Sequence, residues 1–289
     1  MKKKKKAFHT QLTCLLGSPV SHSKSPLMHN EAFSQLGIDM VYQTFEVTKE
    51  TLEASLKALS SMNVRGFNLT MPLKNEMCKY CNELSPAAQL TESVNTVVHY
   101  KGHFKGYTTD GIGFMRALKE DGCDIIGQKI TLLGTGGAAT SIFVQAALDG
   151  VAEISIFNRP GNSFDRAAKI IEKLRAYSDC KISLFDISDK ELLRKEISES
   201  VLLVNGTSVG MAPNDDVSLI NDVTMFHKNL FVSDIIYTPS ETKFLRLAKE
   251  AGCKTQNGLY MLLYQGAEAF KLWTAKEMPV EIIKEKYFT

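Results

Sequence analysis

The stretch that most constrains the fold is residues 129–150, which read KITLLGTGGAATSIFVQAALDG. An apolar strand pattern ends at Leu133, a glycine-rich turn follows, and a helical pattern begins after the turn. The turn fits the spacing G-x-G-x-x-G/A in the strand–turn–helix context that this spacing requires. Gly134 permits a tight turn, Gly136 lets a phosphate approach the backbone, and Ala139 is small enough for the helix to pack on the strand. A plain strand-to-helix turn is the alternative, but the pattern favours a dinucleotide-binding unit. The residues predicted to hold the phosphates at the helix start are Gly134, Thr135, Gly136, Gly137 and Ala138.

The end of the next predicted strand bears on which dinucleotide fits. An Asp or Glu about 20 residues after the turn would bind the ribose 2′-hydroxyl of NAD. The sequence has Asn158, Arg159 and Pro160 there instead, and Asp165 lies too far into the following helix. Arg159 could pair with a 2′-phosphate or be a solvated loop residue. The pattern favours NADP over NAD, and use of both stays open.

Short apolar runs alternate with helical patterns along the whole chain, which indicates an α/β fold with largely parallel sheets. Helix starts are indicated at Ser25-Pro26, at Thr48 and at Pro279. Because several strands and helices precede the glycine turn, we predict two domains with a boundary near residues 111–121. The predicted strands are 12–16, 41–47, 65–70, 94–100, 129–133, 153–158, 181–185, 201–204 and 230–236.

Composition excludes several classes of protein. The 289 residues carry a net charge of +2 and 44% are hydrophobic, so nothing favours binding to nucleic acid or to a membrane surface. There is no apolar run long enough to span a membrane. Residues 2–6 are all lysine and are expected to form a solvated tail without a secretory signal. The six scattered cysteines predict reduced thiols and a cytoplasmic location. One C-x-x-C pair, Cys78 and Cys81, is a weak zinc signal, so no metal is predicted.

Polar motifs in the first half of the chain lie at predicted strand ends and helix starts, where α/β sheets bind ligands. Ser23 and Ser25 flank a helix start that suits a carboxylate, although Ser25 could serve only as the helix cap. Asn95 lies in a β-branched run, and a buried amide there needs partners that a polyhydroxylated ligand could supply.

Two further motifs carry charged residues. Asn68 and Thr70 share one face of a strand, and Lys74 follows the turn at Pro72. Asp110 opens a helix, so a capping role is the alternative to a catalytic one.

Seven motifs occur in the order HSKSP, NLTMPLK, SVNT, TTDG, LLGTGGAA, VNGTSVGM and NGLYMLLYQGA. Together they resemble the shikimate dehydrogenase family almost from end to end, and the second half looks most like its quinate/shikimate branch. The resemblance implies reversible reduction of 3-dehydroshikimate to shikimate in aromatic amino-acid biosynthesis. It also implies a substrate-binding domain over 1–112, on which 258–289 packs back. A Rossmann-type doubly wound dinucleotide-binding domain would span 113–257, with a cleft between the two.

The resemblance assigns a role to each matching residue. Lys74 and Asp110 are the expected catalytic pair, with Lys74 as the proton-transfer residue and Asp110 as its orienter. Thr108 departs from the Asn of many relatives, which leaves the contacts near it uncertain. The expected substrate-binding residues are Ser23, Ser25, Thr70, Asn95, Tyr237 and Gln265. The expected cofactor-binding residues outside the glycine turn are Asn158, Arg159, Ile235 and Gly258.

Several alternatives stay open. The first is a quinate/shikimate dehydrogenase with dual substrate and cofactor use. The second, from a different class, is a catalytically inactive nucleotide-sensing protein, which the retained Lys74 and Asp110 disfavour. The third is a dehydrogenase for aminoshikimate or a folate. The expected partners are small molecules, and the chain is expected to be a monomer or a homodimer.

Overall fold

The computed structural model describes residues 10–288, and the predicted lysine tail lies outside them. The chain divides into two compact units. Unit 1 comprises Met1–Thr109 and Gln265–Thr289, and unit 2 comprises Asp110–Tyr264. Each unit contains one six-stranded sheet flanked by helices. The predicted α/β fold is therefore confirmed, whereas the assignment of one ligand to each unit stays a prediction.

Unit 1 has a mixed sheet with the strand order β2-β1-β3-β5-β6-β4. Its strands are β1 (Gln11–Gly17), β2 (Met40–Glu46), β3 (Gly66–Leu69), β4 (Glu83–Leu84), β5 (Thr96–Tyr100) and β6 (His103–Tyr107). Its helices are α1 (Ser25–Gln35), α2 (Leu52–Ser61), α3 (Pro86–Thr91) and α10 (Val280–Tyr287), numbered along the whole chain, and a 3₁₀-helix covers Glu76–Tyr80.

The pairing directions in this sheet bring four chain segments to one edge. β1 is parallel to β2 and β3, whereas β5 is antiparallel to both β3 and β6. Asn68 near the end of β3 is paired with Thr96 at the start of β5, and Thr96 is paired with Tyr107 at the end of β6. The carboxyl ends of β1, β3 and β6 and the start of β5 therefore meet at the same edge.

One side of the sheet of unit 1 is covered by α2. This helix buries Leu52, Leu56 and Leu59, which recur at the spacing of one helical face. They belong to a core cluster with Phe67 and Phe104, whose rings pack edge to face with centroids 5.7 Å apart.

An aromatic cluster on α1, β2 and the chain after Gln265 forms a second part of the core of unit 1. His29 is fully buried and stacks on Tyr42 with ring centroids 4.4 Å apart. Burial lowers the pKa of His29 to about 3, so its ring is neutral. Trp273 lies 5.2 Å from His29 and donates its indole N–H to the Val97 carbonyl at 2.9 Å. A methyl group at Gly66 would collide with this indole, so the close approach requires glycine.

Unit 2 has an entirely parallel sheet with the order β12-β11-β10-β7-β8-β9. Its strands are β7 (Lys129–Leu133), β8 (Glu153–Asn158), β9 (Lys181–Asp186), β10 (Leu202–Asn205), β11 (Phe231–Asp234) and β12 (Lys254–Gln256). Its helices are α4 (Asp110–Glu120), α5 (Gly137–Asp149), α6 (Asn162–Leu174), α7 (Lys190–Ser198) and α8 (Lys243–Glu250). A 3₁₀-helix covers Val223–Met225, and α9 (Leu259–Thr274) contains the boundary with unit 1.

The strand order of unit 2 reverses between β7 and β10. Strand numbers rise on both sides of this pair, so the connections leave in opposite directions and open a crevice at the carboxyl ends of the two strands. Ala139 on α5 is fully buried, and a methyl group at Gly206 after β10 would lie 2.7 Å from its Cβ. The close approach of α5 to the loop after β10 therefore requires glycine at position 206.

All nine predicted strands are present, but other local predictions were wrong. Helix α1 begins at Ser25 with Lys24 as its N-cap, so Ser25 does not cap it. Helix α2 begins at Leu52 with Thr51 as its N-cap, so Thr48 does not open it. Strands β4, β6 and β12 were not predicted. No helix within residues 10–288 is both long and apolar enough to cross a membrane.

Candidate functional site

The loops after β1 and β3 touch at the sheet edge of unit 1. The Thr70 N–H donates to the Leu16 carbonyl at 3.0 Å, and the Ser18 N–H donates to the Met71 carbonyl at 3.1 Å. A methyl group at Gly17 would collide with Thr70 Cγ2. This glycine therefore lets the loop of the serine motif pack against the loop that carries Thr70.

The two serines differ in their surroundings. Ser25 is buried at the start of α1. Ser23 is half-buried, and its Oγ accepts the Ser25 N–H at 3.2 Å. This oxygen accepts a hydrogen bond from the backbone, and the hydroxyl also carries one proton of its own, which can be donated to a ligand.

A buried network of amides and hydroxyls continues from Tyr42 along the sheet edge. The Tyr42 hydroxyl donates to Asn68 Oδ1 at 2.8 Å, and Asn68 Nδ2 donates to Thr96 Oγ1 at 2.9 Å. Asn95 Oδ1 accepts from the Thr109 N–H at 2.9 Å and from Thr96 Oγ1 at 3.0 Å. The partners that Asn95 needs are therefore largely protein groups, which fix the orientation of its amide.

Gln265 joins this network from the chain after unit 2. Its Oε1 lies 3.5 Å from both Asn95 Nδ2 and Thr109 Oγ1. The sequence analysis did not assign Tyr42 or Thr109 to the site. It placed Asn68 on the same strand face as Thr70 but gave it no role.

The predicted catalytic residues lie beside this network. Lys74 is half-buried, and its carbonyl accepts the Val94 N–H at 2.9 Å, next to Asn95. Asp110 is buried and is the first residue of α4, directly after Thr109. The network thus fixes the backbone next to both residues.

In unit 2, the glycines of the turn after β7 have different roles. Gly134 has a φ of +102°, and a methyl group there would lie 2.5 Å from Thr207 Cγ2, so the fold itself requires glycine. Gly136 has φ −67° and ψ 178°, which any residue adopts. Methyl groups at Gly136 and Gly137 would meet no atom within 4 Å. The two positions leave open space over the N-terminus of α5, which fits a phosphate.

Thr135 offers a polar group at the same turn. Its hydroxyl is buried and has no hydrogen-bond partner among the described residues, while its carbonyl accepts from Thr140 Oγ1 at 3.3 Å. A buried hydroxyl without a partner is costly. The Thr135 hydroxyl and the open space at Gly136 both lie at the turn before α5, where the sequence predicts a pyrophosphate.

The end of β8 carries the predicted selectivity residues. Asn158 Nδ2 donates to the Arg159 carbonyl at 3.0 Å and to Ser163 Oγ at 3.1 Å. Arg159 is exposed, and Asp165 is exposed in the first turn of α6. The Arg159 guanidinium is thus accessible at the carboxyl edge of the sheet.

The segment after β11 is held against the start of α9. The Gly258 N–H donates to the Ile236 carbonyl at 3.0 Å, and a methyl group at Gly258 would collide with the Ile235 backbone. Tyr237 follows and is exposed. Ile235 and Gly258, both predicted cofactor contacts, are therefore neighbours at this edge.

The C-x-x-C pair has little thiolate character. Cys78 and Cys81 are partly buried free thiols that pack against the core of unit 1. Burial raises the pKa of Cys81 to about 12, and burial raises the pKa of Cys78 as well. Nucleophilic reactivity at neutral pH requires a lowered pKa instead.

Two family models match the chain. The shikimate dehydrogenase substrate-binding domain matches residues 15–97, and the shikimate 5′-dehydrogenase C-terminal domain matches residues 258–286. The first covers the loops with Ser23, Ser25, Thr70, Lys74 and Asn95, and the second covers Gln265.

Relatives with related names match over nearly the full length. A shikimate dehydrogenase (NADP(+)) of Listeria monocytogenes is 53% identical over 280 residues, covering 97% of this chain and 96% of that protein. A quinate/shikimate dehydrogenase of Escherichia coli O139:H28 is 41% identical over 275 residues, covering 95% and 96%.

The fold matches as well. The crystal structure of shikimate 5-dehydrogenase from Listeria monocytogenes in complex with shikimate and NAD superposes with a TM-score of 0.93 at 53% identity, covering 96% of each chain. The two structures share an α/β architecture with a substrate domain and a Rossmann-type domain. By sequence and by fold, this chain belongs to the shikimate dehydrogenase family.

Proposed function

We propose that the chain is a shikimate dehydrogenase, an NAD(P)-dependent oxidoreductase that interconverts 3-dehydroshikimate and shikimate. One observation carries the proposal: a buried hydrogen-bond network at the sheet edge of unit 1 fixes Asn68, Asn95 and Thr109, and the Val94 N–H beside Asn95 donates to the Lys74 carbonyl. A rigid row of amides and hydroxyls suits a ring with several hydroxyl groups. The family to which the chain belongs acts on such a ring.

The serine pair suits the carboxylate of the substrate. The Ser23 oxygen accepts the Ser25 N–H, and the hydroxyl proton can be donated to the ligand. A carboxylate can accept this proton at the N-terminus of α1, where the helix dipole also favours negative charge. Thr70, Asn95 and Gln265 are proposed to bind ring hydroxyls, and Tyr237 is proposed to contribute from unit 2.

Lys74 is proposed to transfer the proton that accompanies oxidation or reduction at the ring carbon. Ketone reduction requires an acid and alcohol oxidation requires a base, so one ammonium/amine group can serve both directions. Asp110 is proposed to orient Lys74. Support comes from the rigid backbone next to each residue.

The dinucleotide is proposed to bind at the carboxyl edge of unit 2. When bound, it supplies or accepts the hydride. Gly136, Gly137 and the N-terminus of α5 hold its phosphates, with Thr135 and Ala138 at the same turn. Asn158 and Arg159 are proposed at the adenosine end, and Ile235 and Gly258 at the nicotinamide end.

NADP and NAD are both proposed cofactors. The named relative from Listeria uses NADP(+), whereas the solved structure from Listeria contains NAD. The exposed Arg159 favours NADP, since it can pair with a 2′-phosphate that NAD lacks.

The test is an activity matrix of shikimate and quinate with NADP⁺ and NAD⁺, read from the absorbance of the reduced nicotinamide. We expect turnover of shikimate with at least one cofactor and loss of turnover in Lys74→Met. Lack of turnover with every combination would contradict the proposed function.

Quinate is the second candidate substrate, because the relative from Escherichia coli is named for both compounds. A value of kcat/KM for quinate within about tenfold of that for shikimate, a difference of about 1.4 kcal/mol, would assign dual use. Monomer or homodimer assembly and a cytoplasmic location also stay predictions.

A further inference from the structure

A carboxylate without a predicted role lies at the carboxyl edge of unit 2. Asp234 is the last residue of β11, and its side chain is completely buried. A carboxylate in such a place is destabilising unless hydrogen-bond donors compensate for the lost water. Packing of the strand alone therefore does not explain why a carboxylate is present at position 234.

Three donors surround Asp234. Its Oδ1 accepts from Asn205 Nδ2 at 3.1 Å and from the Ile236 N–H at 3.0 Å. Its Oδ2 accepts from Thr242 Oγ1 at 2.7 Å. Thr242 Oγ1 itself accepts the Leu245 N–H at the start of α8, so its own proton points to Asp234. Three donors and no acceptor fit the ionised form of the carboxyl group.

Through Asn205, the carboxylate fixes the loop after β10. Asn205 Oδ1 accepts from the Thr207 N–H at 3.1 Å and from Thr207 Oγ1 at 2.7 Å, while Nδ2 also donates to the Val209 carbonyl at 3.2 Å. Thr207 Cγ2 in turn lies against Gly134 of the phosphate turn. The buried Asp234 carboxylate thus holds the Asn205 amide. This amide in turn fixes Thr207, which lies beside the glycine turn.

Through Ile236, the carboxylate fixes the loop after β11. The Ile236 N–H is held by Asp234, and the Ile236 carbonyl is held by the Gly258 N–H at 3.0 Å. The peptide segment that carries Ile235 and precedes Tyr237 is thereby bound from both sides. Thr242 closes the same loop at its far end.

We propose that Asp234 is a positioning residue that holds the loops after β10 and β11 in the conformation that receives the nicotinamide half of the dinucleotide. It does so through hydrogen bonds to Asn205 and Ile236 and makes no contact with the cofactor itself. The inference rests on the proposed function, since it takes the carboxyl edge of unit 2 as the dinucleotide site. Strand order supports this edge, because β10 and β7 flank the point of reversal.

The test compares Asp234→Asn with wild type. The amide can accept hydrogen bonds on one side only, so its NH₂ group faces one of the former donors. We expect the Kd for NADPH, measured from nucleotide fluorescence without substrate, to rise about tenfold, because a hydrogen bond to a charged group is lost. The KM for shikimate should change by less than about twofold.

A second readout needs no cofactor. Hydrogen exchange of the apo protein should accelerate in Asp234→Asn at residues 206–209 and 235–242 and stay unchanged at β8. This measurement keeps the inference separate from the proposed function. If wild type fails to turn over shikimate, the proposed function is wrong, while the exchange pattern still tests the role of Asp234.

Asp222→Asn is the matched control. Asp222 also accepts from three donors in unit 2, namely the Thr224 N–H, Thr224 Oγ1 and Arg194, but it is exposed and precedes β11. Its replacement should leave the Kd for NADPH unchanged.

Thr242→Val separates positioning from a structural role. It removes the cap of α8 but keeps the bonds from Asn205 and Ile236, so Tm should fall while the Kd for NADPH stays within about threefold. If Asp234→Asn does not fold, Asn205→Ala replaces it, with the same expected loss of NADPH affinity. An unchanged Kd in the folded variant, or equal losses for NADPH and shikimate, would overturn the proposal.

Discussion

Replacing Gly136 with alanine separates the demands of the fold from those of the ligand. The position has φ −67° and ψ 178°, and a methyl group there would meet no atom within 4 Å. Reduced freedom of the unfolded chain stabilises a protein by about 0.4–1 kcal/mol in such a substitution. Alanine is a poorer N-cap than glycine by a similar amount. The free energy of unfolding should therefore change by less than about 1 kcal/mol.

The binding of NADPH should respond strongly to the same change. The methyl group would occupy the open space over the N-terminus of α5, where the pyrophosphate is proposed to approach the backbone. Loss of one hydrogen bond to a charged phosphate corresponds to about 1.5–3 kcal/mol. The Kd for NADPH should therefore rise about ten- to hundredfold.

The assay pairs a thermal melt with NADPH fluorescence titration, and Gly134→Ala is the control. Gly134 has a φ of +102°, and its methyl group would press on Thr207, so this variant should lose about 1–3 kcal/mol of stability. An unchanged Kd in folded Gly136→Ala would refute the proposed pyrophosphate site. A large loss of stability in Gly136→Ala would show that the fold itself requires glycine at this position.

Three further predictions concern single side chains. Lys74→Ala should lower kcat by about 10²–10⁴ with a smaller rise in the KM for shikimate, and near-normal turnover would exclude a catalytic role. Arg159→Ala should weaken NADPH about tenfold and leave NADH unchanged, whereas equal losses would show that the guanidinium does not read the 2′-phosphate. Burial raises the pKa of Asp234 to about 6, against opposing hydrogen bonds from Thr242, Ile236 and Asn205. Since the pKa of Asp234 is higher in the folded than in the unfolded state, folding takes up a proton between about pH 6 and pH 4. As the pH falls over this range, the free energy of unfolding of wild type should rise by about 3 kcal/mol relative to Asp234→Asn, measured by urea unfolding. A pH-independent difference would contradict this.

The sequence determined the local elements and the types of chemical group. Nine strands follow from apolar runs, and the pattern around Gly134 predicts a strand, a turn and a helix, because both signals depend on neighbours a few residues apart. Three strands escaped prediction. β4 (Glu83–Leu84) and β12 (Lys254–Gln256) have two and three residues, too few for a periodic signal. β6 (His103–Tyr107) has five, but Lys105 and Gly106 leave it without an apolar run.

Only the tertiary structure decided how distant segments combine. It brings Tyr42, Asn68, Asn95 and Thr109 into one hydrogen-bond network and shows that Gly134 is required by the fold whereas Gly136 is not. It also buries Asp234 among donors from Asn205 and two later positions. Such contacts depend on strand order and on atoms that meet across the sheet, and spacing along the chain carries no record of either.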